Sequence, residues 1–182
     1  MRAKVLSLAA AVAFCFAACK KVDKQLLTDV STFETDWTKF VNDATSWGET
    51  LKTECEKVST GHKDSQTAMM KWSSGLKGKD KMKCDSLMGV CHATEGKCTS
   101  MQAEFITFKT SLDETQATFG EWKAKVEKGE VENDAARTEL DNYKAKLADA
   151  QGKLSSWGEM WAKTAADHKS SEDMCMAMMN KK

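Results

Sequence analysis

One seam of residues, spaced alternately three and four apart, constrains the fold of this chain more than any other sequence feature. The spacing continues without interruption for six heptads. It is typical of a long helix that buries one narrow stripe against partner helices. The seam consists of Cys84, Leu87, Cys91, Thr94, Cys98, Met101, Phe105, Phe108, Leu112, Thr115, Phe119, Trp122 and Val126. Three of the first five positions are cysteines, so the sequence predicts a long central helix with one sulfur-rich end.

Two further seams flank the central one. They run over residues 30–51 and 136–175, and polar residues occupy the positions between the seam positions, as in an amphipathic helix. The chain contains no proline, a residue that breaks the interior of a helix. Short turns near Asp80 and Val131 would join the helices. We predict an all-α fold, an elongated antiparallel three-helix coiled-coil bundle.

The number of helices depends on Gly61. The predicted helices span about 24–59, 63–76, 83–128 and 134–178. The first two form one continuous helix if the region near Gly61 is a stutter, an insertion of four residues that unwinds a supercoil locally. If Gly61 is instead a C-cap, the bundle has four helices. The sequence leaves both interpretations open.

Charge and motif content limit the classes of function. The chain has 27 basic and 27 acidic side chains, so no excess charge indicates nucleic acid or an acidic substrate. The sequence lacks a nucleophile elbow, a phosphate-binding glycine loop and an H-E-x-x-H motif. We predict no enzymatic activity and no nucleic-acid partner.

The N-terminus has the features of an export signal. Arg2 and Lys4 precede an apolar run over residues 5–18, which ends in small residues immediately before Cys19. The string Phe-Ala-Ala-Cys over residues 16–19 resembles the lipobox of bacterial lipoproteins. The resemblance implies a signal peptide over 1–18, lipid on Cys19, a tether over 19–28 and a helical bundle over 29–179. An ordinary cleaved signal or an uncleaved anchor is the alternative.

Five cysteines remain after residue 19, and an exported chain meets an oxidising compartment. The disulfide candidates are Cys55, Cys84, Cys91, Cys98 and Cys175. Cysteines seven apart on one helix are too distant to bond to each other, so any disulfide joins two helices. The pairings that fit best are Cys55 with Cys98, and Cys175 with Cys84 or Cys91. Buried free thiols are the alternative.

A soft-metal site is the second interpretation of the same end. Reflecting the sequence about turns at Asp80 and Val131 places His62 level with Cys98, and His168 about one turn from both Cys91 and Cys98. Thiolate and imidazole ligands suit copper or zinc. We take His62, Cys91, Cys98 and His168 as the candidate metal ligands, with many of the methionines nearby.

The sequence therefore predicts a membrane-anchored helical-bundle lipoprotein of the bacterial cell envelope with a structural or protein-interaction role. Lys20 follows the lipid-bearing cysteine where aspartate would retain a lipoprotein in the inner membrane, so we expect the outer membrane. Partners would be the membrane itself, other envelope proteins or a second copy of the chain. A periplasmic copper- or zinc-binding protein is the alternative, and a thiol redox protein is a third hypothesis.

Overall fold

The computed structural model describes residues 22–180, without the side chains of residues 62, 64 and 65. This part of the chain forms three helices and no strand: α1 over Lys24–Ser73, α2 over Gly78–Glu127 and α3 over Asn133–Met179. At 1.5 Å per residue, each helix is about 70–75 Å long. The all-α bundle that the sequence predicts is confirmed. The predicted signal peptide over 1–18 and the lipid-bearing residue Cys19 lie outside the described residues.

The four-helix alternative is wrong, because α1 continues through Gly61 to Ser73. A glycine in a helix interior costs only about 1 kcal/mol relative to alanine, and the seam residues on both sides of Gly61 pack against α2 and α3. The N-terminal end of α1 also differs from the prediction, since the helix begins at Lys24, inside the segment assigned to the tether.

The first turn lies at residues 74–77, and the prediction of a turn near Asp80 is wrong. Helix α2 begins at Gly78, which has a φ of 60°, five residues before the predicted start. The charged residues that follow do not prevent a helix, because they face solvent. This displacement of the turn changes which residues of α1 and α2 lie at the same height.

The second turn follows α2 directly. Gly129 has a φ of 71°, in the left-handed region that favours glycine. Its N–H donates to the Val126 carbonyl, and the Glu130 N–H donates to the Lys125 carbonyl at 2.9 Å. These bonds form a Schellman-type ending that satisfies the last carbonyls of the helix.

The predicted seams are the buried faces of the helices. On α2 all thirteen seam residues are buried or half-buried. Rings from all three helices meet in this core: the centroids of Phe33 and Phe119 lie 4.9 Å apart, and those of Phe119 and Tyr143 lie 5.2 Å apart. Farther along, Trp47 stacks on Trp157 with centroids 6.0 Å apart. Trp47 also contacts Phe105 of α2, with centroids 5.5 Å apart. These pairs show that α1 and α2 are antiparallel and that α1 and α3 are parallel.

Polar contacts fix the end of the bundle where α1 begins. The Asp23 carboxylate caps α1 by accepting from the Gln25 N–H at 2.7 Å, and it also pairs with the Arg137 guanidinium of α3. The Asp23 N–H donates to the Asn133 side chain at 3.3 Å. The start of α1 is therefore tied to the start of α3.

The outer faces of the helices carry charged side chains, some of them in pairs one turn apart, such as Lys109 with Asp113. In the part of the chain that the structure describes, no helix is long and apolar enough to span a membrane.

Helices α1 and α2 approach closely at Gly48. A Cβ added there would lie 2.1 Å from Cε1 of Phe105 on α2. The Phe105 ring cannot move away freely, because it also contacts the rings of Trp47 and Trp157, with centroids at 5.5 and 6.3 Å. Glycine at this position lets α2 pack against α1.

We predict that Gly48→Ala destabilises the bundle by about 1–3 kcal/mol through overpacking, measured by urea unfolding. Gly152→Ala is the matched control. Gly152 is helical and exposed, and a Cβ there would meet nothing within 4 Å. The control should gain about 0.5–1 kcal/mol from helix propensity. Equal effects of the two substitutions would contradict the close approach.

Candidate functional site

A pair of cysteines marks the boundary between two kinds of core. Cys55 of α1 and Cys98 of α2 lie within disulfide-bonding distance, with their Cα atoms 5.5 Å apart, and 43 residues separate them in sequence. This pairing is one that the sequence predicts. On one side of the pair lies the aromatic core, and on the other side lie the turn between α1 and α2 and the C-terminus of α3. We call the second side the tip.

The buried side chains of the tip differ in kind from those of the aromatic core. Among the described residues of the tip, none of the buried side chains is Val, Leu, Ile, Phe, Tyr or Trp, and Val58, Trp72, Leu76, Leu87 and Val90 are half-buried. The buried set consists of Met69, Ser73, Cys84, Cys91, Thr94, Thr164, His168, Ser171 and Cys175. Hydroxyls and thiols bury less apolar area than leucine and so stabilise a core less. The core of the tip therefore stabilises the bundle less than an aliphatic core would, and it consists largely of side chains with polar or metal-binding groups.

Four of these residues form what we call the sulfur core: Met69, Cys84, Cys91 and Cys175, each only 1% exposed. They are buried, yet they lie apart from the main hydrophobic cluster, which ends at the Cys55–Cys98 pair. Moving fourteen residues along each helix from that pair brings Met69 of α1 level with Cys84 of α2. The three cysteines of the sulfur core carry free thiols.

Cys175 of α3 lies between the two cysteines of α2. Cys84 and Cys91 are one heptad apart, which is about 10.5 Å along the helix axis. Burial, together with smaller effects of negative charge on Cys84, Cys91 and Glu172, raises the pKa of the Cys175 thiol to about 11. The register of α2 and α3 agrees with this position: Trp157 contacts Phe105, and eighteen residues farther along each helix Cys175 is level with Leu87, between Cys84 and Cys91.

The thiols of α2 are also held in their protonated form. Burial is the main cause that raises the pKa of Cys91, followed by the nearby Glu172 carboxylate. Burial also raises the pKa of Cys84, with the neighbouring Asp85 adding to the effect and Lys81 opposing it. A reactive cysteine has a lowered pKa and some exposure. The sulfur core has the opposite properties, which argue against the thiol redox hypothesis.

An imidazole and a carboxylate adjoin the sulfur core. His168 is 4% exposed, and its Nδ1 lies 3.7 Å from Oε2 of Glu172. Its Nε2 is buried and has no hydrogen-bond partner among the described residues. The Glu172 carboxylate lies beside Gly61 of α1, where an added Cβ would meet Oε1 at 3.6 Å. The Glu172 side chain, which is 29% exposed, therefore extends along the surface between α1 and α3.

The structure does not bring all four residues predicted to bind metal into one site. Cys91 lies in the sulfur core and His168 beside it, but Cys98 is paired with Cys55. The prediction that His62 is level with Cys98 is wrong by one heptad, because the turn lies at 74–77 instead of Asp80. The His62 side chain lies outside the described ones. No three His, Cys, Asp or Glu side chains described between residues 22 and 180 are grouped so that they could hold a metal ion.

Sequence reasoning missed the role of Met69 and Glu172. A turn at Asp80 would place Met69 level with Cys91, whereas in the structure Met69 is level with Cys84. Glu172 lies between seam positions, where the heptad pattern predicts a solvated side chain, yet its carboxylate lies 3.7 Å from His168 and raises the pKa of two thiols.

An apolar groove lies on the described surface between α1 and α2. It encloses about 450 Å³, and Leu51, Phe105 and Ile106 form its apolar lining. Ile106 is 67% exposed. The groove borders the close contact at Gly48 and lies on the aromatic side of the Cys55–Cys98 pair.

Comparisons with protein-family models, with curated proteins and with solved structures found no match to this chain.

We predict that the Cys55–Cys98 pair stabilises the bundle as a disulfide. A crosslink over this separation contributes about 4 kcal/mol by restricting the unfolded chain. A reductant should therefore lower the urea midpoint of the wild-type chain. In Cys55→Ser/Cys98→Ser the midpoint should be low with or without reductant, while Cys84→Ser, which leaves the pair intact, should keep the reductant-dependent shift. Peptide mapping without reductant that fails to find the Cys55–Cys98 crosslink would contradict the pairing.

Proposed function

We propose that this protein is a lipid-anchored helical bundle of the bacterial cell envelope with a structural or protein-interaction role. The observation that carries the proposal is the position of the first helix relative to the predicted lipid-bearing residue. Helix α1 begins at Lys24, only five residues after Cys19. A lipid on Cys19 would hold the base of the bundle at the membrane surface.

The contacts at that base support an anchored arrangement. Asp23 caps α1 and pairs with Arg137 at the start of α3. A force applied at the N-terminus would therefore be resisted by both helices. Residues 20–23 can span at most about 14 Å when extended. The bundle therefore has little freedom to move away from its anchor, and its tip lies about 75 Å from the base.

The architecture suits a role in contact with other proteins. The groove lined by Leu51, Phe105 and Ile106 offers an apolar contact surface midway along the bundle, and charged side chains surround it. We infer that partners are other envelope proteins or a second copy of the chain. The lysine after Cys19 favours the outer membrane, and the proposal includes neither catalysis nor nucleic-acid binding.

We expect Cys19 to be the residue that anchors the protein. In a Gram-negative host, wild-type chain should incorporate labelled palmitate and sediment with outer membranes. Cys19→Ser should incorporate none, because the acceptor thiol is lost. Cys15→Ser is the matched control, since Cys15 lies in the segment that is predicted to be removed, and it should behave as wild type.

Two results would contradict the proposal. One is acylation of Cys19→Ser at the wild-type level, and the other is a wild-type chain found entirely in the soluble periplasmic fraction. Circular dichroism of each variant would show that the bundle has folded, so a loss of anchoring can be assigned to the missing lipid.

A further inference from the structure

The composition of the sulfur core is not explained by packing or by the anchoring role. Four sulfur side chains from three helices are buried together, and the three thiols among them are unpaired. Leucine or valine at these seam positions would stabilise a coiled coil better. Thiolate and thioether sulfurs have one chemical property that those residues lack, which is affinity for soft metal ions.

Cys175 can serve as a metal ligand together with either of two cysteines of α2. Trp157 of α3 contacts Phe105 of α2, with ring centroids 6.3 Å apart. Eighteen residues farther along each helix, Cys175 is level with Leu87 and so lies between Cys84 and Cys91 in height. Cu(I) is a soft ion that two thiolates bind in a linear arrangement. Cys175 with either neighbour supplies these two donors from facing helices.

We propose that the sulfur core binds one Cu(I) ion between the Cys175 thiolate and the thiolate of Cys84 or Cys91, with the Met69 thioether beside the Cys84 position. Binding releases two thiol protons for each Cu(I) ion and forms two copper–sulfur bonds, with no change in oxidation state. The site therefore carries one net negative charge after binding. This inference does not depend on the lipid anchor.

A carboxylate and an imidazole adjoin the three thiols, with His168 Nδ1 3.7 Å from Oε2 of Glu172. The negative charge of the carboxylate would favour a cation bound by the thiolates, which must lose their protons when they bind it. The buried His168 Nε2, which has no hydrogen-bond partner among the described residues, adds an unused soft donor nearby.

The surface of the tip also carries thioethers. Near the ends of the three helices that meet there, four methionines are between 46% and 73% exposed: Met70, Met82, Met174 and Met176. Such weak, exposed ligands would allow a soft ion to reach the buried thiols without being held at the surface.

The test is Cu(I) uptake by the full chain, measured by native mass spectrometry and by competition with a Cu(I) chelator. Ascorbate keeps the copper monovalent and leaves the Cys55–Cys98 disulfide intact. We expect one equivalent of Cu(I) in the wild type, loss of that equivalent in Cys175→Ser and in Cys84→Ser/Cys91→Ser, and full uptake in Cys55→Ser/Cys98→Ser. The last variant is the matched control, because it removes two cysteines outside the sulfur core.

A second measurement uses the wild-type chain alone and does not require a variant to fold. Peptide mapping after slow alkylation should show that Cu(I) protects Cys175 together with Cys84 or Cys91. The proposal is overturned if the wild type takes up no Cu(I), if Cys175→Ser takes it up as the wild type does, or if Cu(I) leaves the labelling of Cys175 unchanged. Uptake of Zn(II) in preference to Cu(I) would overturn the choice of metal.

Discussion

The burial of one narrow stripe on each of three long helices is the interaction on which the rest of this structure depends. None of these helices has an apolar surface large enough to be stable alone, because most of its circumference is charged or polar. Water is excluded from the stripes only when α1, α2 and α3 lie side by side along their full length. Every other feature, including the position of each cysteine, follows from the register in which the stripes meet.

The register divides the bundle into two parts with different properties. From the base to the Cys55–Cys98 pair, rings from all three helices interdigitate, and the contacts of Phe33, Phe119 and Tyr143 are typical of a core selected for stability. Beyond the pair, thiols, hydroxyls and an imidazole take the same seam positions. The aromatic core and the crosslink can thus hold the helices together while the tip carries a less stabilising core.

The heptad pattern predicted the helices well. A stripe of apolar residues at heptad spacing is buried in a helical bundle, whichever helices pack against it. The predicted seam residues of α3, from Ala136 to Cys175, are buried with one half-buried exception, Leu154. Turn position was less predictable. The two glycines and the charges between residues 75 and 81 indicated a turn, yet charged residues are equally compatible with the exposed first turn of a helix. Placing the turn near Asp80 instead of 74–77 shifted α1 against α2 by one heptad.

The sequence by itself determined that this chain forms three long amphipathic helices, and it identified which face of each is buried and which end is rich in sulfur. These properties depend on the local order of residues. The sequence offered both a disulfide and a metal site for Cys98, and only the tertiary structure decided between them by pairing Cys98 with Cys55. Only the tertiary structure placed Met69 level with Cys84 and the Glu172 carboxylate beside His168. Contacts between helices depend on register, and a heptad repeat looks the same after a shift of seven residues. The turns and the close contact of Gly48 with Phe105 select one register among these, because the other registers would misplace the rings.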